Sequence, residues 1–205
     1  MSHGTHPRPD AGRWHSRGYL PHFDRSELAQ FVSCHLGDSL PKHVLDKWRA
    51  ELPNQESLEE QILLRRRMER YLDLGYGAAH LKQPRIARMV QNSLLHLDGE
   101  RYRLSAWVVM PNHVHLLATP CVDRPLSEIM QGFKGYTAHE ANKMLRRSGQ
   151  FWMEDYFDRY IRDENHFSNA VRYIENNPVK AKLCAKPEDW PYSSAWFRAQ
   201  QKNKE

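Results

Sequence analysis

AWVVMPNHVHLLATP, residues 106–120, decides how the chain folds. Two runs of strand-favouring residues flank Met110-Pro111-Asn112, a breaker because proline offers no N–H to a ladder and asparagine favours turns. Upstream, Tyr102, Leu104, Ala106 and Val108 alternate as one strand; His113 to Thr119 returns as the second arm of a hairpin. Successive side chains on that arm point to opposite faces, so Val114, Leu116 and Ala118 enter the core while His113 and His115 share the other face. Two imidazoles on one rigid strand face beside a turn suit a divalent cation. The plainer reading is a polar pair on a solvated face, since a bare His-x-His is common in a chain with 12 histidines.

Working outward, AQFVSCHL (29–36) reads as an earlier strand ended by Gly37-Asp38. Helical spacing follows in Val44, Leu45, Trp48 and Leu52, then in Ile62, Leu64, Met68 and Leu72, and then from Pro84 through Ile86, Val90, Leu94 and Leu97. Downstream of the hairpin, Pro125 opens a long helix with Leu126, Met130, Phe133, Thr137 and Ala141 on one face. A strand is expected around Tyr156 to Arg162. Asp163 N-caps a last helix with Phe167, Ala170, Val171 and Ile174 inward, which Pro178 terminates.

With the extra helices set aside, the order is the split βαββαβ of a ferredoxin-like α+β fold, an antiparallel four-stranded sheet with helices on one face. An α+β domain of other connectivity stays open, because pairing is not legible in one sequence. The expected organisation is a flexible tail at 1–18, one domain at 19–196 with a helical insert at about 41–97, and a C-terminal tail at 197–205.

Composition narrows the class. Lys and Arg total 30 against 25 Asp and Glu, giving a formal charge of +5, and 40% of residues are hydrophobic. This describes a folded basic chain, compatible with a polyanionic partner. No apolar run approaches the ~20 residues of a membrane span, and residues 1–17 lack the apolar core of a secretory signal. Cys34, Cys121 and Cys184 lie far apart, which fits the reducing cytoplasm and excludes a cysteine zinc ribbon. Protease, NTPase and dinucleotide-binding motifs are absent.

Two tyrosines sit on downstream helices. Tyr136, in FKGYTAHE, edges an apolar face that includes Ile129 and Phe133, so packing explains it. Tyr173, in VRYIENNPVKA, flanks the last helix with Asn177 one turn on and on the same side. A nucleophile and an amide oxygen so placed could share a metal or phosphate site; packing is the equally plain alternative.

His-hydrophobic-His after a hydrophobic strand and a Pro-Asn turn resembles the HUH motif of single-strand nucleases and transposases. AWVVMPNHVHLL, WMEDYFDRYIRDENHF, VRYIENNPVKAKL and EDWPYSSA, in that order, resemble the REP-associated tyrosine transposases over about Tyr19 to Trp196. The resemblance implies Tyr173 as the nucleophile, with His113, His115 and Asn177 as ligands of Mg²⁺ or Mn²⁺. Asn177 stands where a longer glutamine is also found in the family. It further implies cleavage and rejoining of single-stranded DNA at REP-like palindromic hairpins through a 5′-phosphotyrosine, with a monomer favoured over a homodimer. Lys134, Arg159, Arg162, Arg172 and Lys180 are the basic residues expected to meet phosphates. The rival readings are a domesticated, non-catalytic hairpin-binding protein and a nuclease that uses water as its nucleophile.

Overall fold

The computed structural model describes residues 13–16, 21–24, 27–52 and 57–202. Its centre is the expected hairpin. Strand β4 (Tyr102–Val109) pairs antiparallel with β5 (His113–Pro120), setting Val109 opposite Val114 and Val108 opposite His115, with a register shift between Leu104 and Ala106. The Met110 amide donates to the His113 carbonyl at 2.8 Å and closes the turn.

β5 pairs on its other edge with β3 (Gln30–His35), and β3 pairs with β6 (Phe157–Tyr160). The sheet order is β4-β5-β3-β6, all neighbours antiparallel. With α3 (Pro84–Leu97) crossing from β3 to β4 and α4 (Leu126–Leu145) crossing from β5 to β6, this is the βαββαβ topology. Other connectivities are excluded.

The two crossover helices, α3 and α4, lie on one face as expected of the βαββαβ unit, and a further helix covers the other. Every residue of β3 and β5 is buried, so both faces of the central strands must be covered. Val32, Cys34, Val114, Leu116 and Ala118 pack against Ile86, Val90 and Leu94 of α3 and against Ile129, Met130 and Phe133 of α4. Phe31, Val108 and Leu117 point the other way and meet Ala170 and Ile174 of α5 (Glu164–Lys180). α5 begins as expected, with the Asp163 carboxylate accepting the His166 amide at 2.8 Å. It does not stop at Pro178. The proline sits in the last turn, where a missing N–H forfeits one bond, and the Ala181 amide bonds the Asn177 carbonyl just beyond it.

Of the expected insert, α3 belongs to the core topology and only α1 (Lys42–Ala50) and α2 (Leu58–Asp73) are additions. Leu45, Leu64 and Met68 from these two helices pack with Leu40 and with Phe157 of β6. Within the expected tails, Arg13–Ser16 forms β1 and pairs with β2 (Pro21–Asp24). Residues 197–202 complete α6 (Ser194–Lys202), whose Phe197 ring lies 5.5 Å from Trp107. Residues 1–12 and 203–205 lie outside the described residues.

Candidate active site

The face beneath α5 carries the chemistry. β5 presents His113 and His115, each 1% exposed, with ring centroids 4.6 Å apart. From α5, the Tyr173 ring lies 5.4 Å from His115, and Asn177, fully buried, follows one turn later. The structure therefore brings together the four residues read as nucleophile and ligands. Tyr136 is 57% exposed on α4, beyond the opposite face of the sheet, and takes no part.

The protonation of His113 can be worked out from its surroundings. Asn112 donates both amide hydrogens to backbone carbonyls, of Leu72 at 3.1 Å and Tyr76 at 3.0 Å. Its Oδ1 therefore faces His113 Nδ1, at 2.7 Å, and that nitrogen must carry the proton. The lone pair is left on Nε2, which is buried and without a partner. Burial, then the neighbouring His35, lowers the His113 pKa to about 3. His115 is held well below the ordinary histidine range, chiefly by burial and then by His113. Both rings are neutral, as a metal ligand must be.

Further unsatisfied atoms surround the pair. Both ring nitrogens of His115, the Tyr173 hydroxyl and both amide atoms of Asn177 are buried without a hydrogen-bond partner. Buried polar atoms are normally matched, so such a concentration marks a place built for a ligand. Among the described residues no three His, Cys, Asp or Glu side chains surround one point as a metal site would require. Asn177 Oδ1, one turn beyond Tyr173 on α5, is a buried amide oxygen without a partner. Burial pushes the Tyr173 pKa up, reinforced by Glu69 and Asp73 and opposed by Arg159 and the Asn177 side chain.

The basic residues divide. Lys180 sits 5.3 Å over the Tyr173 ring and pairs with Asp73 at 3.6 Å. Arg159 of β6 lies 5.0 Å over Phe31, whose ring is itself 5.3 Å from His115; its Nε is buried and unpartnered. These two border the site. Lys134 is on α4 and donates to the Glu154 carbonyl at 2.6 Å. Arg162 lies over Tyr160 at 5.8 Å, and Arg172 lines a groove with Glu175 and Arg198 between α5 and α6. These three are not brought to the tyrosine.

Three neighbours escaped the sequence reading. Asn112 was read only as a turn residue, though its place beside His113 was a signal. His35 shares the histidine face, opposite His113 in the β3–β5 register, and alternation from Phe31 through Ser33 could have found it. Asp73 ends α2, and nothing local announces it.

The sheet order is that of the ferredoxin-like HUH fold, with the histidine pair on a central strand and the tyrosine on the helix that covers it. Residues 83–177 match the family model described as "Transposase IS200 like", a span that includes His113, His115, Tyr173 and Asn177. The chain is similar to the REP-associated tyrosine transposase of Escherichia coli (strain K12), at 27% identity over 109 residues, 52% of this chain. The match spans 63% of that relative's length. A solved REP-associated tyrosine transposase bound to a REP hairpin superposes with a TM-score of 0.51 at 17% identity, covering 88% of this chain and 81% of that one. No described helix is long and apolar enough to cross a membrane.

Proposed function

We propose that the chain is a metal-dependent endonuclease and strand transferase acting in the cytoplasm on single-stranded DNA at REP-like palindromic hairpins, with Tyr173 as its nucleophile. The observation that carries this reading is the Tyr173 ring 5.4 Å from His115, among buried atoms that have no partner within the protein. A Mg²⁺ or Mn²⁺ ion, held by His113, His115 and Asn177, would supply Lewis acidity at the scissile phosphate. Histidine ligands favour Mn²⁺ over the harder Mg²⁺.

The chain's own residues do the rest. The Tyr173 oxygen attacks phosphorus in line and gives up its proton; the P–O3′ bond breaks, leaving a 5′-phosphotyrosine and a free 3′-hydroxyl. Attack by another strand's 3′-hydroxyl on that ester rejoins DNA and returns the tyrosine, so no external energy source is needed. Arg159 and Lys180 place positive charge beside the tyrosine, which suits a phosphate and a developing phenolate. Nucleophile and ligands come from one chain, which supports a monomer as the working unit.

The test mixes protein and Mn²⁺ with end-labelled single-stranded hairpins taken from sequence flanking the gene. A covalent protein–DNA band is expected on denaturing gels, and Tyr173→Phe should abolish it while retaining hairpin affinity. Cleavage that survives Tyr173→Phe would assign water as nucleophile, and salt-sensitive binding without cleavage would assign a hairpin-binding protein.

A further inference from the structure

The end of α2 reaches the site twice. Leu72 and Tyr76 fix Asn112, and through it the tautomer of His113. Between them, Asp73 pairs with Lys180 at 3.6 Å, and Lys180 lies over the Tyr173 ring. Asp73 Oδ1 is a buried acceptor without a partner at bonding geometry, and Asn177 Nδ2 is a buried donor in the same condition. Asp73 meets this side of α5 through Lys180, one turn after Asn177; burial raises its pKa, and Lys180 and then the Asn177 side chain oppose that shift.

An asparagine can serve a cation only through Oδ1, and then its Nδ2 needs an acceptor. A carboxylate accepts and does not donate, so beside Asp73 the amide has one sensible orientation. We propose that Asp73 is a positioning residue, accepting from Asn177 Nδ2 and anchoring Lys180, so that Asn177 Oδ1 is presented to the histidine pair. This rests on the metal-dependent reading of the site and assigns a task to the helical addition. Asp73 lies outside the 83–177 segment that matches the family model. Partners in the shell around a metal commonly change its affinity 10–100-fold when removed.

The experiment uses the full chain and three readouts: the Asn177 side-chain amide signal in ¹⁵N-correlated NMR, assigned with Asn177→Asp; Mn²⁺ binding without DNA; and hairpin cleavage across Mn²⁺ concentrations. Asp73→Asn is nearly isosteric and keeps an acceptor; Asp73→Ala removes it; Glu59→Gln, exposed at the start of α2, is the control. Asp73→Ala is expected to move the Asn177 amide signal, weaken Mn²⁺ binding about 10-fold and raise the Mn²⁺ needed for half-maximal cleavage to match. The rate at saturating Mn²⁺ should fall much less, and Asp73→Asn should recover part of the affinity. An unmoved amide signal, or unchanged Mn²⁺ affinity in Asp73→Ala, overturns the proposal. A wild-type chain that binds no Mn²⁺ overturns the metal reading itself, and the amide signal then still decides whether Asp73 holds Asn177.

Discussion

The two faces of one sheet are built to opposite rules. On the face under α3 and α4, the polar tips of the large aromatic side chains are matched: Tyr102 donates to the Leu94 carbonyl at 2.8 Å, Trp107 to Gln91 at 3.1 Å and Trp152 to Thr137 at 2.8 Å. On the face under α5, the tips of His113, His115, Tyr173 and Asn177 are left open. Each unmet group costs about 1–3 kcal/mol. The difference teaches that adjacent residues of β5 serve different ends, Leu116 stability and His115 a ligand.

The largest expected effect separates those neighbours. His115→Leu should lower Mn²⁺-dependent cleavage by about 10³-fold, the weight of a metal's charge stabilisation, yet leave the denaturation midpoint unchanged or higher. A clear loss of stability there would break the comparison. Leu116→Ala, one residue away and fully buried, should cost about 2–5 kcal/mol of unfolding free energy, read from urea titration. A smaller effect is expected from Asn112→Ala, which frees His113 to carry its proton on either nitrogen. Calorimetry should report a 10–100-fold weaker Mn²⁺ site, and an unchanged one would remove the tautomer argument.

Acid sharpens the contrast further. The pKa of His113 falls to about 3 and that of His35 to about 4, both chiefly through burial, against an unfolded value near 6.5. Below about pH 6.5 the unfolded chain binds protons that the folded one refuses. Stability is therefore full above that pH and drains as pH falls toward 4 and then 3. Urea midpoints should drop between pH 7 and 5, where carboxylates barely titrate, and His35→Gln should flatten the slope. The smallest effect belongs to Arg172→Ala, away from the tyrosine: hairpin affinity within about 2-fold of wild type, against a clear loss and a reduced salt slope for Arg159→Ala.

Much of this was legible in the sequence because it is local. Alternation from His113 to Thr119 gave the shared face of the histidines, and the four-residue step from Tyr173 to Asn177 their common side of α5. In β4 the irregularity between Leu104 and Ala106 breaks the expected alternation, sending Tyr102 and Leu104 to one face and Ala106 and Val108 to the other. What escaped depends on distance along the chain. The burial of β3 on both sides, which demands helices on both faces, reads in sequence as a short mixed strand. Asp73 and Lys180 are more than a hundred residues apart, and no spacing predicts their meeting. Basic residues were the weakest signal: Lys134 and Arg159 look alike in sequence, and only packing sends them to different places.

Asn112 carries one more lesson, for anyone who would transplant this site. A minimal scaffold given Tyr102–Pro120 and Glu164–Lys180 would reproduce both histidines, the tyrosine and the asparagine. It would lack the two carbonyls, at residues 72 and 76, that aim the Asn112 amide. Its first imidazole would then be free to hold its hydrogen on the wrong nitrogen. The motif can be copied in a few dozen residues, whereas the readiness of its ring is a property of the assembled chain.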